Sequence, residues 1–406
     1  MSKIIVNRIT SCRICSSFSI ADVLKLEDMP FTDEFIFKNE IGQEYLSNIE
    51  IGICANCGSV QNLNNTDMSN YYNDYTYSVQ ASAFAMSFMS GLAGKIKKVF
   101  YANEDKPKIL EIGSGSGEQL LEFKKLGFKV LGIEPSEKLS EYANSIGIKT
   151  ITSFFDENTS KIVDPGFTQV DAVISSYTFD HIPRPVEVLH NIHTILAKDG
   201  LLILEVHNLE LIKQRNEFCL FEHEHYTYLN ERTLESLLNA NGFKVVTFDL
   251  LDDNVKRANS LLVVARSMSE KSVGNTVDVT HEINEIQSLS KNIYRAIDRL
   301  EAWLEENKDK SIVAYGAGGR GVMTIAALKN SHHFKYIVDK NPKAKDILSP
   351  KSRLPVFGID ELGITRADII VVFSFGYYNE IVSELTNKYG YSADQFVSIL
   401  NILEGH

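Results

Sequence analysis

The sequence predicts an α/β fold in three parts: a small N-terminal cysteine-held module, a central Rossmann-like domain and a second Rossmann-like domain at the C-terminus. Three observations predict it. Two C-x-x-C pairs, CRIC and CANC, lie near the N-terminus. From residue 107, apolar strand-like runs alternate with amphipathic helical runs, the pattern of a mostly parallel sheet covered on both faces. A glycine-rich strand-to-helix turn occurs twice, as EIGSGSG and as AYGAGGRG.

The chain has 406 residues, 44% of them hydrophobic and 23% charged, which is enough apolar material for more than one core. No run approaches the roughly 20 apolar residues of a membrane span, and MSKIIVNRIT has no secretory h-region. The expectation is a cytoplasmic protein with no membrane partner. A net charge of −12 works against a nucleic-acid surface, so the expected partner is a small molecule.

Residues 1–70 carry Cys12 and Cys15, then Cys54 and Cys57 after thirty-eight intervening residues. In a reducing compartment, two such pairs read as metal ligands rather than disulfides. Four thiolates close a tetrahedron around zinc and leave no open position, so the site is structural. Cys219 has no companion and reads as a plain buried thiol. Next comes YYNDYTY, whose Tyr71, Tyr72, Tyr75 and Tyr77 form either an interdomain loop or the wall of a pocket.

The central domain spans 71–266, with strands in KILEIGSGSG, FKVLGIEPS, DAVISSYTF and GLLILEVHN and helices in EQLLEFKKLG, EKLSEYANSIG and PVEVLHNIHTILAKDG. A polar link and a long helical run occupy 267–310. The final domain, 311–406, begins SIVAYGAGGRGVMTIAAL and continues through FKYIVD to RADIIVVFSFGYYNEI. Oligomeric state is not legible.

Gly113, Gly115 and Gly117 follow a strand and open a helix, so their backbone can approach a ligand closely. NAD and S-adenosylmethionine both suit such a turn. Glu111 before it and Glu134 beyond it favour S-adenosylmethionine, with Glu134 placed to accept the ribose hydroxyls. Pro135 and Ser136 after that acid, and Ser176 in DAVISSYTF, complete the cofactor candidates. The second turn, with Arg320 at its helix start, could hold a diphosphate or leave Arg320 as a surface cation. Residues 222–225 read EHEH. Extended, this run would put Glu222 and Glu224 on one face and His223 and His225 on the other, as in a solvated edge strand; a metal site would need ligands from elsewhere.

Taken in order, CRIC…CANCGSVQ, EIGSGSGEQL, HIPRPVEVLHNIHTILAKDGLLILEV, EHEHYTYL, AYGAGGRG, VDKNPKA and FSFGYYNEI resemble the sugar C-methyltransferases, over nearly the whole chain. The resemblance implies a zinc domain, an S-adenosylmethionine-dependent methyltransferase domain and a C-terminal domain that contacts a nucleotide-linked keto-deoxysugar without a cofactor of its own. Methylation of carbon then needs a base and a partner for an enolate oxygen. The candidates are His225, Glu224 as its orienter, Glu222 and His181, with His223 structural. Tyr75, Tyr77, Tyr177, Arg320 and Tyr377 are the implied substrate contacts. Glu222 stands where the family usually has tyrosine, and Tyr177 where it often has asparagine. Transfer to oxygen or nitrogen, or a non-catalytic nucleotide-sugar-binding protein, are the alternatives.

Overall fold

The structure is a computed structural model that describes residues 6–32, 34–68, 71–72, 82–159, 163, 165–268 and 277–405. Tyr75 and Tyr77 lie outside the described residues. The chain forms two compact units. Met1–Ile20, Cys54–Leu209 and Glu224–Thr280 make the first; Ala21–Ile53, Glu210–His223 and His281–His406 make the second.

The first unit is built on a seven-stranded sheet of β1 (Lys108–Ile112), β2 (Lys129–Glu134), β3 (Thr150–Thr152), β4 (Val170–Ser176), β5 (Leu196–His207), β6 (Phe243–Thr247) and β7 (Ser260–Ser267). Their spatial order is β3-β2-β1-β4-β5-β7-β6. Only β7 runs against its neighbours β5 and β6; the other pairings are parallel. Side chains alternate faces with a period of two along each strand. Leu110, Leu131, Val173, Leu202 and Val263 therefore enter one core, with Val188 and Ile192 of α4 (Pro185–Ile195) and Leu234 and Leu238 of α5 (Glu231–Ala240). Ile109, Val130, Ile174, Ile203 and Val264 enter the other, against Phe88 and Leu92 of α1 (Ala83–Phe100) and Leu120 and Phe123 of α2 (Glu118–Lys125). Burial on both faces explains why these strands read as continuous apolar runs.

Local signals set the helix ends. Ser136 caps α3 (Glu137–Ser145), its hydroxyl accepting from the Leu139 N–H. Asn230 and Thr233 form a reciprocal cap on α5, each such cap contributing about 1 kcal/mol. Pro185 opens α4, where a missing N–H costs nothing. The sequence read PVEVLHNIHTILAKDG as one helix, but α4 stops at Ile195 and the remainder belongs to β5. There Leu201–His207 pairs with Ser260–Arg266 on one side while the β4 pairing continues on the other, so sheet hydrogen bonds outweigh local helix propensity.

The second unit contains α6 (Val279–Glu306) from His281 onward and a parallel sheet of β8 (Ile312–Tyr315), β9 (Phe334–Asp339), β10 (Val356–Gly358), β11 (Ile369–Val372) and β12 (Phe396–Ser398). Its order is β10-β9-β8-β11-β12. Helices α7 (Gly319–Ala326) and α8 (Tyr378–Tyr389) follow β8 and β11. Residues between the cysteine pairs join this unit: Ile36–Phe37 pairs with Ile347–Leu348, and Ser290 Oγ of α6 donates to the Val23 carbonyl at 2.7 Å.

Candidate active site and zinc centre

In both sheets the strand order reverses beside the first strand, between β1 and β4 and between β8 and β11. Ligands of open α/β sheets bind at the carboxyl ends of the strands at such a point. The first glycine turn stands there. Gly113, Gly115 and Gly117 all have positive φ, at 70°, 53° and 87°. A side chain on Gly113 would collide with Thr178, whereas space at Gly115 is open, with nothing within 4 Å of a built Cβ. Glu134 pins the turn to β2: its Oε2 accepts from Gly115 N–H and its Oε1 from Ser136 N–H, both at 2.8 Å. Burial raises the Glu134 pKa, and these two hydrogen bonds oppose the rise.

The hydroxyls of Ser114, Ser175 and Ser176 and the Oε2 of Glu111 are buried without a protein partner. Buried polar atoms are rarely left so in a native state, and a polar ligand seated on the turn would satisfy them. Glu111 itself is held far above the usual carboxylate range, chiefly by burial and by the nearby Glu118. These buried, unpartnered polar atoms beside a glycine turn fit a polar ligand such as S-adenosylmethionine.

Behind the turn, Arg257 makes a two-pronged ion pair with fully buried Glu205 of β5. Its guanidinium lies between the rings of Phe88 and Tyr177, 4.7 and 4.6 Å from their centres. Tyr177 holds a left-handed φ of 48° and donates its N–H to the Glu205 carbonyl at 2.7 Å. A bulky residue in that region stores about 1–3 kcal/mol of strain, here met by the stacking and the hydrogen bond.

Beyond β4 and β5 lies a cluster of imidazoles. Asp180 Oδ2 accepts from His207 Nδ1 at 2.6 Å and from the His207 backbone N–H at 3.3 Å. Its Oδ1 is 3.9 Å from His181 Nε2. His181 Nδ1 is 2.9 Å from the Tyr72 hydroxyl. The His225 ring packs 4.6 Å from both His181 and His207. Burial alone would raise the Asp180 pKa, but the charge and hydrogen bond of His207, with His181 and His225, hold it well below the usual carboxylate range. A buried anion thus underlies three histidines.

All four EHEH residues are buried, at 7, 1, 7 and 3% exposure, in a turn rather than a strand, which removes the solvated-edge reading. The boundary between the two units falls inside the run. In the second unit, His223 Nε2 donates to the Met29 carbonyl at 2.9 Å, and its ring is edged by Phe31 and Tyr45. Burial lowers its pKa to about 4, so it is a neutral core histidine.

The zinc centre stands in the first unit. The four Sγ atoms of Cys12, Cys15, Cys54 and Cys57 lie within 4.8 Å of one another, with Cys12 and Cys57 at 3.7 Å and Cys15 and Cys54 at 3.5 Å. Tetrahedral zinc with Zn–S bonds of about 2.3 Å needs sulfurs about 3.8 Å apart, so the donor set fits. Each C-x-x-C is a tight turn whose inner N–H points at sulfur, Ile14 at Cys12 and Asn56 at Cys54. Burial pushes the Cys54 thiol up to about 11.

This centre reaches the histidines through protein. Gln61 donates to Cys12 Sγ at 3.3 Å and accepts from the Arg13 N–H at 3.0 Å, and its strand pairs with Thr227–Tyr228. Arg13 stacks on Tyr226, whose N–H donates to the Asp180 carbonyl at 2.8 Å.

The second glycine turn is built like the first. Asp339, closing β9, accepts from Ala317 N–H at 2.8 Å and Asn341 N–H at 2.9 Å. Its approach is taken by the chain itself: a Cβ on Gly319 would lie 2.9 Å from Glu222 Oε1. Arg320 Nε donates to buried Glu217 at 3.0 Å and the guanidinium stacks on Phe375. The surface-cation reading of Arg320 is therefore corrected, because burial of the Glu217 carboxylate demands a cationic partner.

Comparison with known proteins gives three successive matches along the chain. Residues 12–72 match a zinc binding domain, residues 87–247 a methyltransferase domain and residues 257–400 a C-methyltransferase C-terminal domain. This chain is an S-adenosylmethionine-dependent methyltransferase. The methyltransferase is similar end to end to the C-methyltransferase NovU of Streptomyces niveus, at 23% identity over 93% of this chain and 92% of that one. An uncharacterised methyltransferase of Staphylococcus carnosus is 28% identical over 36% of this chain and 73% of its own. Among solved structures, the 1,6-didemethyltoxoflavin-N1-methyltransferase of Burkholderia thailandensis matches with a TM-score of 0.35 at 17% identity, covering 47% of this chain and 82% of that one. No helix among the described residues of the methyltransferase is long and apolar enough to cross a membrane.

Of the residues singled out from sequence, the structure brings together Gly113, Gly115, Gly117 and Glu134 at one turn, and His181 and His225 at another point of the same sheet edge. Tyr377 is exposed on a short 3-10 helix of the second unit. Sequence reading missed Asp180 and His207. Asp180 follows the run DAVISSYTF and precedes His181, and His207 lies near the end of GLLILEVHN, so position at the carboxyl edge was the available signal.

Proposed function

We propose that the enzyme transfers methyl from S-adenosylmethionine to a ring carbon of a nucleotide-activated keto-deoxysugar through an enolate. The observation that carries this reading is the cluster of His181, His207 and His225 over ionised Asp180, on the strand edge that also holds the glycine turn. The end-to-end likeness to a C-methyltransferase supports it.

A carbon nucleophile requires loss of the proton beside the sugar carbonyl, and an imidazole held over a carboxylate suits that task. S-adenosylmethionine supplies an electrophilic methyl on sulfonium. Gly115 and Glu134 orient that donor, with Pro135, Ser136 and Ser176 beside it. His225 faces the enolate oxygen, with Glu224 as its orienter and His181 as a further donor. Tyr177 is assigned to positioning. The zinc held by the four cysteines is structural, and its chemistry is confined to holding the fold.

The test is mass spectrometry of labelled methyl transfer into a panel of nucleotide keto-deoxysugars. A label retained on a ring carbon is the expected result. A label on a hydroxyl oxygen or an amine nitrogen would replace the carbon reading, and binding without turnover across the panel would replace the enzymatic one.

A further inference from the structure

Resting on that reading, we infer that His207 is the proton acceptor of the reaction and that Asp180 is its positioning residue. Neither belongs to the EHEH run.

The inference starts from tautomer chemistry. A carboxylate accepting from Nδ1 obliges that nitrogen to carry the proton, which leaves Nε2 with a free lone pair in the neutral ring. The Nδ1–Oδ2 separation is 2.6 Å, at the short end for a charge-assisted bond. A second bond from the His207 backbone to the same oxygen fixes the carboxylate as well as the ring. The Tyr177 and His225 rings pack against the imidazole, each 4.6 Å away and tilted to it by 49° and 41°. Orientation, tautomer and a stabilising anion are the three things a base needs from its neighbours.

The electrostatics agree. Asp180 is buried and ionised, so the imidazolium formed at His207 has its counter-charge already in place. His181 is differently committed: its Nδ1 meets the Tyr72 hydroxyl at 2.9 Å and its Nε2 stands 3.9 Å from Asp180. The location is right too, since His207 is the last residue of β5 and Asp180 follows β4, both on the carboxyl edge where ligands of this sheet bind.

In the step, the substrate C–H bond breaks and its proton goes to His207 Nε2. The electron pair moves into a C=C bond while the carbonyl π pair goes to oxygen, forming the enolate. The enolate carbon then bonds the methyl as the methyl–sulfur bond breaks, its pair going to sulfur to give S-adenosylhomocysteine. The imidazolium finally releases its proton to water.

The experiment is exchange of the acidic C–H with heavy water, using the nucleotide keto-deoxysugar that the wild-type enzyme methylates and S-adenosylhomocysteine in place of the donor. His207→Asn and His207→Gln should both lose exchange by about 10²-fold or more, the usual contribution of a positioned base. Their S-adenosylhomocysteine affinity and zinc content should stay at wild-type values, and added imidazole should restore part of the exchange to His207→Gly. Asp180→Asn should lower kcat more than it raises KM and abolish the downfield Nδ1–H proton resonance of His207. Wild-type exchange that persists in both His207 variants overturns the assignment while leaving carbon methylation standing. Carbon methylation by wild-type enzyme without any exchange overturns the enolate reading itself. A second stoichiometric metal, beyond the cysteine site, would make Asp180 a ligand and overturn its role here.

Discussion

The two glycine turns are near copies in construction and opposites in occupancy. In each, a strand runs into glycine with positive φ, Gly113 and Gly316, crowded by the residue leaving the fourth strand of its sheet, Thr178 and Ser374. In each, an acid closing the second strand grips two backbone N–H groups, Glu134 on one side and Asp339 on the other. Above the first turn the space at Gly115 is open, with buried hydroxyls of Ser114 and Ser176 left to a ligand. At the second, the Glu222 carboxylate lies against Gly319 at the N-terminus of α7, where a helix dipole favours negative charge. A glycine fingerprint therefore identifies a turn, and the side chains over it decide whether a ligand is held.

The largest expected effect separates the units carrying these turns. Structural zinc contributes on the order of 10 kcal/mol to a folded site, and the cysteine centre belongs to the unit with the first turn. Chelation, or Cys54→Ser, should release about one zinc per chain and raise hydrogen exchange around residues 54–66, 180 and 225–228, while Ile312–Tyr315 and Ile369–Val372 stay protected. Equal loss of protection in both would break the distinction.

Acidity gives the next contrast. His223, in the second unit, has its pKa lowered to about 4 by burial, against 6.5 for the free group. Its unfolded form binds the extra proton between those values. The stability it contributes is thus complete above pH 6.5 and lost as pH falls toward 4, by about 3 kcal/mol. Glu111 and Glu134 run the other way: burial raises both, so their contribution is full below the ordinary carboxylate pKa and declines as pH rises through their folded values. Urea unfolding from pH 4 to 8 should show the positive slope vanish in His223→Gln and the opposing slope shrink in Glu111→Gln. A His223→Gln profile identical to wild type would refute the burial argument.

Removing the acids should sharpen the difference in ligand. Glu134→Ala takes away a hydrogen-bond partner worth about 1–3 kcal/mol, so calorimetry should record roughly 10- to 100-fold weaker S-adenosylmethionine binding. Asp339→Ala loosens an equivalent turn and should lower the thermal midpoint with donor affinity unchanged. Affinity that follows Asp339 instead would reverse the assignment of the two turns.

The smallest effect comes from adding one methyl group. Gly115→Ala meets no atom but forces alanine to φ 53°, a cost of about 1 kcal/mol or somewhat more. Gly319→Ala has no positive φ and presses on Glu222 Oε1 at 2.9 Å. Donor binding should weaken in the first variant only, and a thermal scan of the second should register the displaced carboxylate as a small loss.

The cysteine set, both glycine turns, the acid after each second strand and the α/β alternation were legible because each is a local pattern. Spacing alone puts four thiols at two equal turns, and strand or helix periodicity needs only neighbours along the chain. EHEH was legible as ionisable chemistry but not as geometry. His223, read as structural, is a neutral core ring; that its partner is the Met29 carbonyl is what a run of four polar letters cannot reveal.

Tertiary structure alone decided three things. It joined Asp180 to His207 across twenty-seven residues, a pairing that depends on β4 and β5 lying side by side. It linked Gln61 to both the cysteine centre and the strand after His225. It placed Glu222 against the second turn and engaged Arg320 with Glu217. The physical reason is common to all: one sequence determines which groups a chain owns, but burial and the distance between strands determine which are charged, which are paired and which remain open to a ligand.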